Sequence, residues 1–297
     1  MTSAVRPPYV SRAARLAQLA AKPIAPAPAV QDLLDDVQRL PAQRPALLRV
    51  VHMADDHDCS PRQLADVAAS DPAFAARLLQ LANSAYYGRA GRITSIGPAV
   101  GVLGAETVRG LAVTMALGLS GESGPLPEGF WDRAATAAAG SRLVAPRLGA
   151  DPGDAFCVGL LHEVGEALLF RAAPEDYPRL KAASRGLALA EAERAWCGVS
   201  SGELAAAALG SAGVPRPVCD AIAQHQLDGD RASVAVGPLT RALRGGVLLS
   251  RAVATGELGD LHEALSCVVG GGLDTGEVGE LALRTAAQAA ALSATMR

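Results

Sequence analysis

No stretch of this chain alternates apolar and polar residues over the length of a β-strand. From about Val30 onward, apolar residues recur at three- and four-residue spacing instead. That periodicity predicts an all-α protein. Half of the residues are hydrophobic, yet aromatics make up only 3%. The core must therefore come mainly from Leu, Val and Ala, which suits helices packed closely together. Local signals agree. Ser60-Pro61-Arg62-Gln63 has a serine to cap a helix, a proline at its first position and a glutamine to close the capping box.

The order of segments predicts two helical blocks between flanking pieces. Residues 1–29 are rich in Ala, Pro and Arg and read as a flexible tail. A first block covers 30–120, with helices over Val30–Leu40, Pro45–Ala54, a stretch following Ser60, Ala73–Ala82, a stretch after Pro98, and Val108–Leu117. Gly121 to Pro127, with two glycines and two prolines, reads as a linker. A second block covers 128–226, with one helix over Trp131–Leu148, another running unbroken over Asp154–Phe170, and four more to Gln226. Residues 227–297 form a C-terminal helical extension. Asp55 to Cys59 reads as a solvated acidic turn.

Bulk chemistry narrows the function. A net charge of −3 and a pI near 6.0 give no electrostatic footprint for nucleic acid. The five cysteines contain no CxxC pair, so a reduced, cytoplasmic protein is expected. No apolar run approaches 20 residues, so no membrane span is expected, and the N-terminus has no secretory apolar region. There is no GxSxG, no phosphate loop and no cysteine beside a base.

Two stretches carry a resemblance. Ser70-Asp71-Pro72-Ala73-Phe74-Ala75-Ala76-Arg77-Leu78-Leu79-Gln80-Leu81-Ala82-Asn83-Ser84-Ala85-Tyr86-Tyr87-Gly88 continues through Thr94-Ser95-Ile96 to Leu103-Gly104. This string is very similar to the pattern of HDOD domains. The second stretch, Gly159-Leu160-Leu161-His162-Glu163-Val164-Gly165, looks like the "GLLHDIG" helix of the HD metal-dependent phosphohydrolases. HDOD domains resemble HD and HD-GYP enzymes that have lost catalytic residues, and they occur in bacterial signalling proteins. The resemblance covers 30–226 and implies an N-terminal helical bundle packed on a degenerate HD-like bundle.

The resemblance also places the old site. His162 and Glu163 stand for its His-Asp doublet. Arg133, after Trp131, stands where a histidine often occurs. Ser201 replaces another histidine. His225 keeps one histidine of two. Arg251, in Val247–Ala252, stands for an aspartate. A hydrolytic metal needs three or more imidazoles or carboxylates converging on it, with a position open to water. Arginine cannot be a ligand, so Arg133 or Arg251 would pair with Glu163 instead. His162 and His225 are expected to be structural. Asn83, Ser84, Tyr86 and Tyr87 are expected to end their helix and pack between the blocks, with a partner- or ligand-binding surface as the competing reading. The expectation is a non-catalytic bacterial regulator without metal or cofactor, binding a protein or a small nucleotide. A phosphohydrolase with an altered ligand set and a nucleic-acid-binding regulator are the alternatives.

Overall fold

A computed structural model describes residues 32, 33, 35, 44–56, 58–84, 87, 88, 92–119, 125–184, 187–226, 236–257 and 260–296. The expected N-terminal tail, nearly all of the Val30–Leu40 helix, Tyr86 and the first part of the linker lie outside these residues. Among the described residues the regular structure is entirely α-helical.

The N-terminal bundle holds α1 (Pro45–Ala54), α2 (Pro61–Ala68), α3 (Pro72–Ala82), α4 (Ile96–Leu103) and α5 (Ala105–Ala116). Its helices begin where the sequence places their caps. The Ser60 hydroxyl accepts from the Gln63 amide, and the Gln63 side chain accepts from the Ser60 amide. Asp71 caps α3 by accepting from the Phe74 amide. Helix α1 buries Leu47, Val50 and Val51 on one face. That face packs on α5, which is buried along nearly its whole length from Thr107 to Ala116. A helix buried on nearly every side belongs inside a larger core, and α5 packs on the second block as well. Helices α4 and α5 meet at a 106° bend, and no single described helix is long and apolar enough to cross a membrane.

The HD-like bundle holds α6 (Phe130–Leu148), α7 (Pro152–Leu161), α8 (Val164–Ala172), α9 (Tyr177–Ala183), α10 (Leu187–Cys197), α11 (Ser201–Ser211) and α12 (Arg216–Gln224). One continuous core joins it to the first bundle, uniting Leu47, Leu78, Val108 and Leu111 with Phe156, Leu160 and Leu204. The two blocks therefore meet through apolar packing as well as through the linker.

Three C-terminal helices follow: α13 (Pro238–Thr255), α14 (Leu261–Val269) and α15 (Thr275–Met296). Helix α13 lies along α6, the most extensive helix pair described. The approach is close enough that a Cβ on Gly246 would strike the Ser141 hydroxyl. A second apolar cluster, including Val144, Leu249, Leu265 and Leu281, fills the space between these helices. Helix α15 touches both α6 and α3, so it reaches the HD-like and the N-terminal bundles.

Candidate functional site: the His162 corner

The helix expected over Asp154–Phe170 is in fact two helices. Helix α7 stops at Leu161, α8 starts at Val164, and His162-Glu163 forms the corner between them. The His162 side chain helps to break the helix. Its Nδ1 lies 2.7 Å from the Gly159 carbonyl, the group that a continuing helix would offer to the Glu163 amide. Glu163 then leaves helical geometry at φ −92°, ψ 5°. Two glycines make the corner possible. A Cβ on Gly159 would sit 2.6 Å from Ala138 Cα of α6, and one on Gly165 would collide with the Ser201 carbonyl at the start of α11. The backbone thus runs flush against both neighbours, and the doublet is fixed where α6, α8 and α11 converge.

Arg133 of α6 meets Glu163 side by side. Its Nε donates to Oε1 at 2.6 Å and its Nη2 to Oε2 at 2.8 Å. Nη1 donates to the Glu128 carbonyl at 2.6 Å. Glu163 is only 6% exposed. Burial and the nearby Glu166 charge push its carboxyl up from the ordinary range, while the Arg133 guanidinium pulls it back. Glu166, one turn along α8, is also buried and pairs with Lys181 of α9. Burial opposes its charge, but Lys181 and Arg133 hold it below the usual value.

The imidazoles are neutral at physiological pH. Burial pushes His162 down to about 4. His225, at the end of α12, goes down to about 4 through burial and the adjacent His162. The rings meet edge to face, 5.8 Å between centroids. Each turns Nδ1 toward a carbonyl of its own helix, His225 toward Ile222 at 2.6 Å. Nδ1 is thereby assigned the proton in both, and Nε2 carries the lone pair. His162 Nε2 lies 3.9 Å from Glu163 Oε1.

Ser201 is tied to a different carboxylate. Its amide and hydroxyl donate to Glu193 Oε2 at 2.7 and 2.9 Å, and the Tyr177 hydroxyl donates to Oε1 at 2.7 Å. Glu193 has no exposed surface, and burial raises its carboxyl despite these bonds.

The structure thus brings together four of the expected positions, Arg133, His162, Glu163 and His225, with Ser201 at the adjoining α11 start. It does not bring Arg251, which is exposed on α13. One residue is about 100° of helix rotation. Ser250 takes the inward place, its hydroxyl 3.4 Å from the Arg133 carbonyl. The buried charge of α13 is instead Arg244, two turns earlier, which donates to the Gln224 and His225 carbonyls at 3.1 and 3.3 Å.

Glu166, Lys181, Tyr177, Glu193 and Arg244 are missing from the sequence expectation. Only Glu166 left a local signal, one turn after Glu163 on a helix otherwise apolar at that face. The Asn83 amide is fully engaged elsewhere. Its Nδ2 donates to the Leu79 and Ile93 carbonyls, and its Oδ1 accepts from the Ile93 amide at 2.9 Å. Asn83 therefore ties down the chain that follows α3. Ser84 is half-buried beside it, and Tyr87 packs at the core edge.

A second ionic cluster was not expected. Arg109 of α5 is 2% exposed and contacts Asp154 of α7 at 2.8 Å, Asp55 at 3.3 Å and Glu106. Asp55, read as part of a solvated turn, is half-exposed but reaches into this cluster. Burial pushes Glu106 up to about 7. The clue in the sequence was a lone arginine in an apolar run.

The side chains at the His162 corner do not fit a hydrolytic metal. Both Glu163 oxygens hold a guanidinium, and no three His, Cys, Asp or Glu side chains converge among the described residues. A cavity of about 130 Å³ opens among Met53, Cys59, Leu64 and Val100 of the N-terminal bundle.

The sequence matches the HDOD domain family over residues 40–227. No curated protein matches the chain. Among solved structures, a provisionally named phosphohydrolase of Shewanella amazonensis SB2B has 22% identity and a TM-score of 0.71, with 89% of this chain and 98% of that one covered. A provisionally named signal transduction protein of Marinobacter aquaeolei VT8 has 24% identity and a TM-score of 0.67, over 95% of this chain and 65% of that one. An HDOD domain protein of unknown function from Geobacter sulfurreducens has 20% identity and a TM-score of 0.57, over 95% and 97%. At these identities the likeness establishes the fold.

Proposed function

The chain belongs to the HDOD domain family, and from that premise we propose that it is a non-catalytic regulatory protein of the bacterial cytoplasm, working by binding a protein partner. One observation carries the reading. Arg133 holds both oxygens of Glu163 at the position where the family resemblance puts a metal ligand. A guanidinium neither coordinates a cation nor releases its proton near neutral pH.

The neighbouring groups supply no substitute for a metal-bound nucleophile. The Ser201 hydroxyl donates to Glu193, whose other oxygen is held by Tyr177. The Cys157 thiol is buried, and burial pushes it up to about 11. A protein partner is preferred over a nucleotide because the cationic side chains of the corner, Arg133 and Lys181, are already paired with Glu163 and Glu166 and leave no free charge there for a phosphate. The Marinobacter relative by fold carries a signalling name and the Shewanella one a hydrolase name. The side chains of the corner favour the first.

The test has two arms. Purified protein supplied with Mn²⁺ should not hydrolyse cyclic dinucleotides, nucleoside monophosphates or aryl phosphates above background. Turnover that vanishes in a His162→Ala variant would establish the phosphohydrolase alternative. Crosslinking capture from the source cell should then recover a saturable protein partner. Strongly salt-dependent retention of DNA or RNA in its place would favour the nucleic-acid alternative.

A further inference from the structure

The cavity in the N-terminal bundle is apolar inside and acidic at its mouth. Met53 of α1, Leu64 of α2 and Val100 of α4 line it, and Gly101 and the half-buried Cys59 complete the wall. The exposed Asp56 lines it as well and accepts from the amide of Asp58, also exposed, at 3.0 Å. Asp55 precedes them, and Glu106 follows Ala105, another lining residue. Two arginines stand among these acids: Arg62, exposed on α2, and the buried Arg109, already shared by three carboxylates. The chain also has a segment of opposite chemistry. Residues 1–31 contain Arg6, Arg12, Arg15 and Lys22 and no Asp or Glu, with Leu16 and Leu19 beside the arginines. The segment leads into the same bundle, because Leu33 is buried in one apolar core with Leu64 and Val100. Lys22 is ten residues before Asp32, a reach of up to roughly 33 Å. Helix α1, with ten residues, is only about 15 Å long.

We propose that residues 1–31 dock on this pocket of their own chain, with their cations against Asp56 and Asp58 and one leucine side chain in the cavity. An apolar cavity of roughly 150 Å³ admits a benzene-sized group, so a leucine side chain fits the 130 Å³ available. The contact need not be tight in itself, since a short tether supplies an effective concentration on the order of millimolar. The docked segment covers a surface suited to a basic segment of a partner. That consequence rests on the binding role proposed above; the docking does not.

Zero-length carbodiimide crosslinking of the full chain tests this. The sequence has only two lysines, Lys22 and Lys181, and Lys181 is paired with Glu166. Peptide mapping of the monomer band should find Lys22 joined to Asp56 or Asp58. Gly101→Leu plugs the cavity without a clash, since a Cβ there meets nothing within 4 Å. It should leave the melting temperature unchanged and remove most of that crosslink. Iodoacetamide labelling gives a second readout. Cys59 should react about tenfold faster in about 1 M KCl, where charges are screened beyond about 3 Å. An Arg12→Glu, Arg15→Glu variant should react as fast without salt and lose the salt effect, while the exposed Cys267 reacts alike throughout. The proposal is overturned if Lys22 joins neither aspartate, if Gly101→Leu leaves the crosslink intact, or if Cys59 ignores both salt and the tail variant. A crosslink found only between two chains would place a second copy's segment on the pocket and also overturn it. None of these failures touches the regulatory reading, which falls only if no saturable partner is captured.

Discussion

Arg133 and Arg109 are both engaged by buried or partly buried carboxylates, and they solve opposite problems. At the His162 corner, two acids, Glu163 and Glu166, meet two bases, Arg133 and Lys181, so the charges balance. At the junction of the bundles, Arg109 alone faces Asp55, Glu106 and Asp154. The corner has its excess charge removed by side chains from neighbouring helices. The junction has an acid excess, and one carboxyl, Glu106, takes up a proton near neutrality. The difference follows from exposure. Asp55 and Asp154 are half-open to water, which tolerates the surplus, whereas Glu163 and Glu166 are sealed. A balanced pair can be dry; an unbalanced cluster must stay wet or bind protons.

The largest expected effect separates the two arginines by depth. Arg109 is 2% exposed and Arg133 32%. Arg109→Ala should lose about 3–5 kcal/mol, the usual cost of breaking a buried pair. Arg133→Ala should lose less, about 2–3 kcal/mol. Urea unfolding of both variants checks the ranking, and equal losses would break the comparison.

Next comes pH. His162 titrates near 4 in the fold and near 6.5 unfolded. The unfolded chain therefore binds the extra proton between those values, and stability rises with pH across the window, fully gained above about 6.5. The contribution is roughly 3 kcal/mol for His162, with less from the half-buried His225. A His162→Gln variant should flatten the rise, measured by unfolding at successive pH values.

The junction should run the other way. Glu106 titrates near 7 folded and near 4.5 unfolded. Here the folded chain holds the extra proton, so this term weakens stability as pH rises from about 4.5 to 7. With the group partly exposed, about 1–2 kcal/mol is expected. Glu106→Gln should therefore make the overall rise with pH steeper. An unchanged slope would mean that Glu106 is ionised throughout. The smallest effect is Ser201→Ala, about 1 kcal/mol, because the Ser201 amide and Tyr177 still hold Glu193.

Much of the fold was legible because helix signals are local. The Ser60–Gln63 capping box and the helix read over Trp131–Leu148, ended by Gly149, rest on signals within the segment itself, and both are found. The candidate site was legible only as a set of positions. His162 and Glu163 were visible as a doublet, but not the break between them, since that depends on the Gly159 carbonyl and on contacts with Ala138 and Ser201. The choice between Arg133 and Arg251 could not be made from spacing either. Both lie on long helices far from Glu163 in sequence, and helical periodicity alone does not say which helix packs against the corner.

By itself, then, the sequence determined that the chain is helical, where most helices begin, and which family its motifs belong to. Hydrophobic period and capping chemistry are satisfied within a single segment. Only the tertiary structure decided which charges meet. A one-residue turn of α13 sends Arg251 to solvent and Ser250 inward, and the packing of α6 against α7 carries Arg133 across 30 residues to Glu163. The physical reason is geometric. A charged side chain chooses its partner within about 4 Å, and that distance is set by how whole helices pack.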